Sequence, residues 1–174
     1  MSYTIYMPKR VFIGIRPDNE TIKNIKTFQE EFSHLPIHWA REENIHITLV
    51  PPWRPKNFEE DLSIFQDFSP IYNSEPLTFT KIQIFKTKSI LWATGQAPES
   101  LINLINRLTS SFNLPPQKRK YIMHITLAKH VDPAIYIPKI QILWEFVPES
   151  LILFESIQRK TGTIYNKISE IPLA

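Results

Sequence analysis

His46-Ile47-Thr48-Leu49 returns later in the chain as His124-Ile125-Thr126-Leu127, and the apolar setting returns with it. Asn44-Ile45 precedes the first copy and Ile122-Met123 the second, while Val50 and Ala128 follow. Both copies read as strands. Side chains alternate faces along a strand, so His46 and Thr48 share one side and Ile47 and Leu49 the other. The same alternation sets His124 and Thr126 against Ile125 and Leu127. With the apolar residues turned to a core, each strand leaves a histidine and a threonine facing water or a cleft. One such tetrapeptide suits an ordinary half-buried strand; its recurrence with the same polar face makes a paired site the sharper reading.

Two imidazoles brought together from distant strands form an acid and base pair, because histidine titrates near neutrality without any large shift. The threonine hydroxyls beside them can donate to an oxygen of a substrate or intermediate. This set suits displacement at phosphorus: one histidine handles the proton of the attacking nucleophile, the other protonates the leaving oxygen, and the hydroxyls hold the non-bridging oxygens. The chemistry demands neither metal nor cofactor. A metal hydrolase is the weaker alternative, since no H-E-x-x-H occurs and only His34 and His38 are closely spaced.

At 174 residues the chain can fill one substantial core or two small lobes that share one, and 43% hydrophobic with 21% charged residues suits a globular protein. No apolar run approaches a membrane helix, and Met1-Ser2-Tyr3-Thr4 does not open a signal sequence, so a cytoplasmic protein is expected. Cysteine is absent, which excludes disulfides, thiol catalysis and cysteine-based zinc sites. The three glycines, Gly14, Gly95 and Gly162, cannot build a G-x-G-x-x-G or Walker loop. A net charge of +3 permits an anionic substrate without identifying one. Lys118-Arg119-Lys120, just before the second histidine strand, is either a solvated run or a guide for a phosphate backbone.

In chain order, Arg10 to Arg16 predicts a strand stopped by Pro17, and Asp18 caps a helix to about Ser33 carrying Ile22, Ile25, Phe28 and Phe32. His38 reads as a surface or packing residue. Pro51-Pro52-Trp53-Arg54-Pro55 reads as a rigid loop ending the first histidine strand, with Trp53 either packed beneath it or offering its face to a base. A short helix is expected within Glu59 to Phe68. Leu77 to Phe85 alternates as a strand, Leu77, Phe79, Lys81, Gln83 and Phe85 on one side, with a hairpin partner at Ser89 to Thr94. Pro98 opens an amphipathic helix bearing Leu101, Ile105, Leu108 and Phe112. The order strand, helix, histidine strand thus occurs twice. After the proline-punctuated segment His130 to Pro138, strands are expected at Gln141 to Val147, at Leu151 to Ser156 and from Gly162, in hairpin-like succession. This predicts an α+β fold: one domain over residues 1–174, with two packed lobes, mainly antiparallel sheets, outer helices and the histidine strands flanking a central groove.

The two H-x-T-x motifs resemble those of the two-histidine phosphoesterases, in particular the RNA 2',3'-cyclic phosphodiesterases also described as 2'-5' RNA ligases. Val11-Phe12-Ile13-Gly14-Ile15, Leu91-Trp92-Ala93 and Leu153-Phe154-Glu155-Ser156 followed by Gly162 and Tyr165 extend the likeness over most of the chain. The resemblance implies a bilobal pseudo-symmetric fold and a catalytic set of His46, Thr48, His124 and Thr126. It implies hydrolysis of an RNA or oligonucleotide 2',3'-cyclic phosphate to a 2'-phosphate, with His46 as acid and His124 as base. Where relatives often carry arginine three residues beyond the second threonine this chain has Lys129, which keeps the charge and loses the bidentate fork. Val50-Pro51-Pro52-Trp53 likewise replaces the more usual Phe-Leu-Gly exit. Lys129, Trp53, Lys118, Arg119 and Lys120 are the candidate substrate contacts, and a monomer is expected. Reversible 2'-5' ligation, another small cyclic phosphodiester as substrate, and a noncatalytic RNA-binding module are the competing readings.

Overall fold

The computed structural model describes residues 9–132, 134–160 and 162–173; Met1-Ser2-Tyr3-Thr4 and Pro133, both used above, lie outside them. The chain begins with strand β1, Val11–Ile15, buried at every position. Helix α1, Asn19–Glu31, starts where Asp18 accepts the Thr21 N–H at 2.8 Å, and it turns Ile22, Ile25 and Phe28 inward. A two-residue strand β2, His38–Trp39, and a 3-10 turn, Glu42–Asn44, lead to β3, Ile47–Trp53. Then follow α2, Phe58–Gln66, capped by Asn57; β4, Leu77–Phe85; β5, Ile90–Gly95; and α3, Glu99–Ser111, entered from Pro98. The remainder is strand: β6, Met123–Lys129; β7, Ile140–Phe146; β8, Ser150–Arg159; and β9, Gly162–Pro172.

These strands form one antiparallel sheet in the order β7-β4-β5-β6-β3-β1-β8-β9, with β2 added beside β6. Its centre is thin. The two histidine strands, β3 and β6, pair only at Ile47↔Ile125. Beyond that pair β2 takes over the side of β6, setting His38 against Lys129 and Trp39 against Ala128. One face of the sheet carries a continuous apolar core that includes Ile47, Leu49, Ile125 and Leu127 together with Ile25 and Phe28 of α1 and Leu101, Leu104 and Leu108 of α3. The helices reach across: Phe28 of α1 lies edge-on to Trp144 of β7 at 6.4 Å, while α3 contacts β3. No helix among the described residues is long and apolar enough to cross a membrane.

The architecture is α+β with a largely antiparallel sheet, as expected, and it corrects three local readings. Pro51 and Pro52 do not end the first histidine strand, which continues to Trp53. They sit where β3 has left β6 and where the β1 ladder is irregular between Ile13↔Val50 and Val11↔Trp53, so their missing N–H groups interrupt nothing. The alternation of β4 breaks at an irregularity between Phe79 and Lys81: Leu77 and Phe79 are buried before it and Ile82 after it. Finally, β7 and β8 are not neighbours despite the short Pro148-Glu149 link. β7 pairs with β4 at one edge, and β8 lies between β1 and β9 near the other.

Candidate active site

The Ile47↔Ile125 pair decides what faces what. Both isoleucines are wholly buried, so the residues flanking them turn to the opposite side of the sheet. In antiparallel register His46 then lies across from Thr126, and Thr48 across from His124. The two histidines are diagonal neighbours, a relation that spans about 7–8 Å between backbones. Each motif's threonine stands beside the other motif's histidine.

The ladders on either side of this quartet carry matching irregularities. On β3, Gly14 pairs with Thr48 but Ile13 pairs with Val50, leaving Leu49 as an extra residue. On β6, Trp92 pairs with Thr126 but Leu91 pairs with Ala128, leaving Leu127 extra. Each is a β-bulge at the motif leucine. Leu49 with Val50, and Leu127 with Ala128, are consequently buried as adjacent pairs. The bulge also resets the phase, so Lys129 emerges on the face of His124 and Thr126 where plain alternation would bury it. Both bulge carbonyls accept from glutamine amides, Leu127 from Gln29 at 3.4 Å and Leu49 from Gln117 at 3.4 Å; the Ala40 N–H also donates to Leu127, at 2.8 Å.

Each imidazole is oriented by the carbonyl two residues before it. His46 Nδ1 donates to the Asn44 carbonyl at 2.7 Å, and His124 Nδ1 to the Ile122 carbonyl at 2.8 Å. A carbonyl can only accept, so the proton of each neutral ring is held on Nδ1 and Nε2 is left for chemistry. The Thr48 hydroxyl donates to His46 Nε2 at 3.1 Å. Burial pushes the His46 pKa down to about 4, and the charges of Lys129 and His124 push the same way, against the raising effect of the Asn44 carbonyl. His124 is also lowered, first by burial and then by Lys88, with the Ile122 carbonyl opposing.

The surroundings of the two rings differ. His46 lies against Phe12 at 4.9 Å, Phe154 at 5.8 Å and the edge of Tyr165 at 4.9 Å. Phe12, Phe154, Ile152 and Tyr165 form a small apolar cluster on the site face, apart from the main core. The shelf for the ring is Gly14, whose missing Cβ would come within 3.6 Å of His46 Cδ2 and 2.6 Å of the Ile47 carbonyl oxygen. His124 instead leans on Trp92 at 4.8 Å, and Trp92 stacks on Phe85 at 4.5 Å. Lys129 donates to the Tyr165 hydroxyl at 3.1 Å, which brings its ammonium to the His46 side.

Of the residues expected at the site, His46, Thr48, His124, Thr126 and Lys129 are brought to one face of the sheet. Trp53 is not with them. It lies seven positions along an extended strand from His46, roughly 20 Å away; its indole N–H donates to Asp61 at 2.7 Å and its ring packs on Phe112 at 5.1 Å. Lys118, Arg119 and Lys120 are exposed in the loop before β6, and none enters an ion pair among the described residues. That loop is tied to the first histidine strand by its own flanks: Tyr121 donates to the Thr48 carbonyl at 2.8 Å and Gln117 to that of Leu49. Asn44, Tyr121, Gln29, Gln117 and Tyr165 are the supporting residues that the motifs did not reveal. Among the described residues no group of three or more His, Asp or Glu could hold a metal ion.

Residues 17–158 match the sequence profile of the 2'-5' RNA ligase superfamily. The chain belongs to this superfamily of two-histidine phosphoesterases. Solved structures carry the same fold over nearly all of its length. A protein described as a phosphoesterase superposes with a TM-score of 0.79 at 21% identity, covering 97% of this chain and 99% of the other. Escherichia coli LigT complexed with 3'-AMP superposes with a TM-score of 0.77 at 22% identity and the same coverage of 97% and 99%. The protein TT0787 of Thermus thermophilus gives 0.77 at 19% identity, over 94% and 97%. No curated protein matches the chain. Within the superfamily this member carries both H-x-T-x motifs, the first with His46 immediately before β3 and the second within β6, and bears lysine at position 129.

Proposed function

We propose that this protein is a metal-independent phosphodiesterase that opens 2',3'-cyclic phosphates at RNA or oligonucleotide ends to leave 2'-phosphates. The observation that carries the reading is the Ile47↔Ile125 pair, which faces each histidine with the other motif's threonine on one side of the sheet. Around that pair we read two pseudo-symmetric lobes, β3-β1-β8-β9 and β6-β5-β4-β7, related by the matching bulges and meeting at a central groove. They form one domain acting as a cytoplasmic monomer. The solved LigT complexes with 3'-AMP, phosphate, ATP and NADP+ favour a nucleotide phosphate as the group bound here.

In the hydrolytic direction His124 Nε2 takes a proton from water as its oxygen attacks phosphorus, and His46 donates a proton from Nε2 to the departing 3'-oxygen. A 2'-phosphate and a free 3'-hydroxyl result. Protonation of His46 also releases Thr48: once Nε2 carries a proton it no longer accepts from the hydroxyl, which can turn to a non-bridging oxygen. Thr126 donates to the same group and Lys129 balances its charge. The assignment follows the resemblance, and the surroundings of His46 set a condition on it. With the His46 pKa at about 4, the bound phosphate must neutralise Lys129 and bring its own negative charge to raise the ring before it can act as acid.

The test is a substrate panel of 2',3'-cyclic ends, linear diesters, 3',5'-cyclic nucleotides and ADP-ribose 1'',2''-cyclic phosphate. Turnover is expected on the first alone, falling by on the order of 10²-fold or more in His46→Ala and in His124→Ala with the fold retained. An activated leaving group is expected to rescue His46→Ala far more than His124→Ala. Selective rescue of His124→Ala would reverse the roles, and full activity in both single variants would remove the mechanism.

A further inference from the structure

The Lys129 ammonium is a single charge on a flexible four-carbon stem, and such a group must be held if it is to act at a fixed place. Its side chain is exposed, yet Nζ donates to the Tyr165 hydroxyl at 3.1 Å and stands 5.6 Å from the centre of the Tyr165 ring. Tyr165 is itself anchored on several sides. Its ring stands nearly perpendicular to those of His46 and Phe12, with ring centres 4.9 and 5.0 Å away. Its backbone N–H donates to Asn44 Oδ1 at 3.3 Å, and the other end of that carboxamide, Nδ2, donates to the Thr163 carbonyl at 2.9 Å. The backbone carbonyl of the same Asn44 accepts from His46 Nδ1. One residue therefore ties the strand that carries Tyr165 to the ring that Tyr165 borders.

We propose that Tyr165 is a positioning residue whose hydroxyl, pinned through Asn44, holds the Lys129 ammonium on the His46 side of the site and so draws the charged oxygens of a bound phosphate to that side. Arginine would need no such guide, because its planar fork orients itself on an oxyanion; a lysine at position 129 does. The inference rests on the proposed phosphate chemistry and deepens it, since it names which side of the site receives the negative charge.

The experiment uses inorganic phosphate as probe and does not depend on turnover. Phosphate affinity and the phosphate-induced rise of the His46 ring titration are followed by NMR in the wild type, Tyr165→Phe, Lys129→Met and the double variant Tyr165→Phe/Lys129→Arg. Tyr165→Phe keeps the ring against His46 and the backbone bond to Asn44. It is expected to bind phosphate on the order of 3- to 10-fold more weakly, about the net worth of one hydrogen bond, and to show a smaller rise at His46. Adding Lys129→Arg restores both. Lys129→Met, in which Tyr165 is intact, shows at least as large a loss. Wild-type affinity in Tyr165→Phe or in Lys129→Met overturns the proposal, as does a loss in Tyr165→Phe that arginine fails to restore. Failure of the catalytic reading would appear separately, as unchanged turnover in the histidine variants.

Discussion

A methyl group on Gly14 has no room. It would stand 2.6 Å from the carbonyl oxygen of Ile47, a backbone atom in the one residue pair that joins the histidine strands, so the strands must part or twist to admit it. Gly14→Ala is expected to cost about 1–3 kcal/mol, the usual penalty of overpacking, read as a lowered urea midpoint at unchanged slope. It should also lower turnover by more than that stability loss explains, because displacement of His46 by about 1 Å is enough to spoil alignment. The histidines themselves predict an acid-shifted profile. The proposed mechanism needs one ring protonated and the other neutral, while both pKa values in the free protein lie below 6.5, that of His46 at about 4. The singly protonated free form therefore peaks below pH 6.5 and declines as pH rises past the higher of the two values. A bound phosphate anion favours the imidazolium and moves both limbs upward. The expected outcome is a kcat/KM optimum more acidic than the optimum of kcat, checked by paired pH profiles; coincident optima above pH 7 would contradict it.

At the scale of elements, much of the candidate site's placement was legible because a strand's period is short: the repeated tetrapeptide put His46, Thr48, His124 and Thr126 on polar faces, and capping and apolar spacing located α1, α3 and the strands around them. What escaped depends on bulges and distant pairing. Simple alternation from His124 buries Lys129, and only the extra residue at Leu127 returns it to the site face, an irregularity with no local signal in Ile125-Thr126-Leu127-Ala128. Asn44 and Tyr165 meet because the β8–β9 hairpin folds back on the turn before β3, and the short Pro148-Glu149 link gave no hint that β7 and β8 lie far apart in the sheet. Tyr121 is the third such case. Where β3 departs from β6, its hydroxyl supplies a cross-connection to the Thr48 carbonyl in place of a ladder bond, and burial pushes its pKa far up. Tyr121→Phe leaves that carbonyl short of a donor and is expected to destabilise the protein by about 1–2 kcal/mol. Hydrogen exchange around Thr48 and Leu49 should quicken before that of β8 does, which mass spectrometry of peptic fragments would show.

At the scale of the molecule, the seam is narrow and what spans it is the core. One apolar cluster runs beneath both ends of the sheet, α1 reaches β7 and α3 reaches β3, so the spacing of the two imidazoles is set by packing across the whole fold. The strand order also has a temporal side. β4, β5, β6 and β7 come from one run of chain, residues 77–146, whereas β1, which pairs early with β3, must wait for β8 of the hairpin at residues 150–172. Synthesis on the ribosome is vectorial, and a strand whose partner has yet to be translated has an unpaired edge. The part of the sheet that comes later in the sequence thus has all its own strands first. β1, which precedes every other strand of the sheet, gains its second neighbour only when the β8–β9 hairpin arrives. The surroundings of His46, with Phe154 and Tyr165 drawn from that hairpin, are completed only once it has been translated, so a nascent chain halted before β8 carries the first histidine without the residues that enclose it.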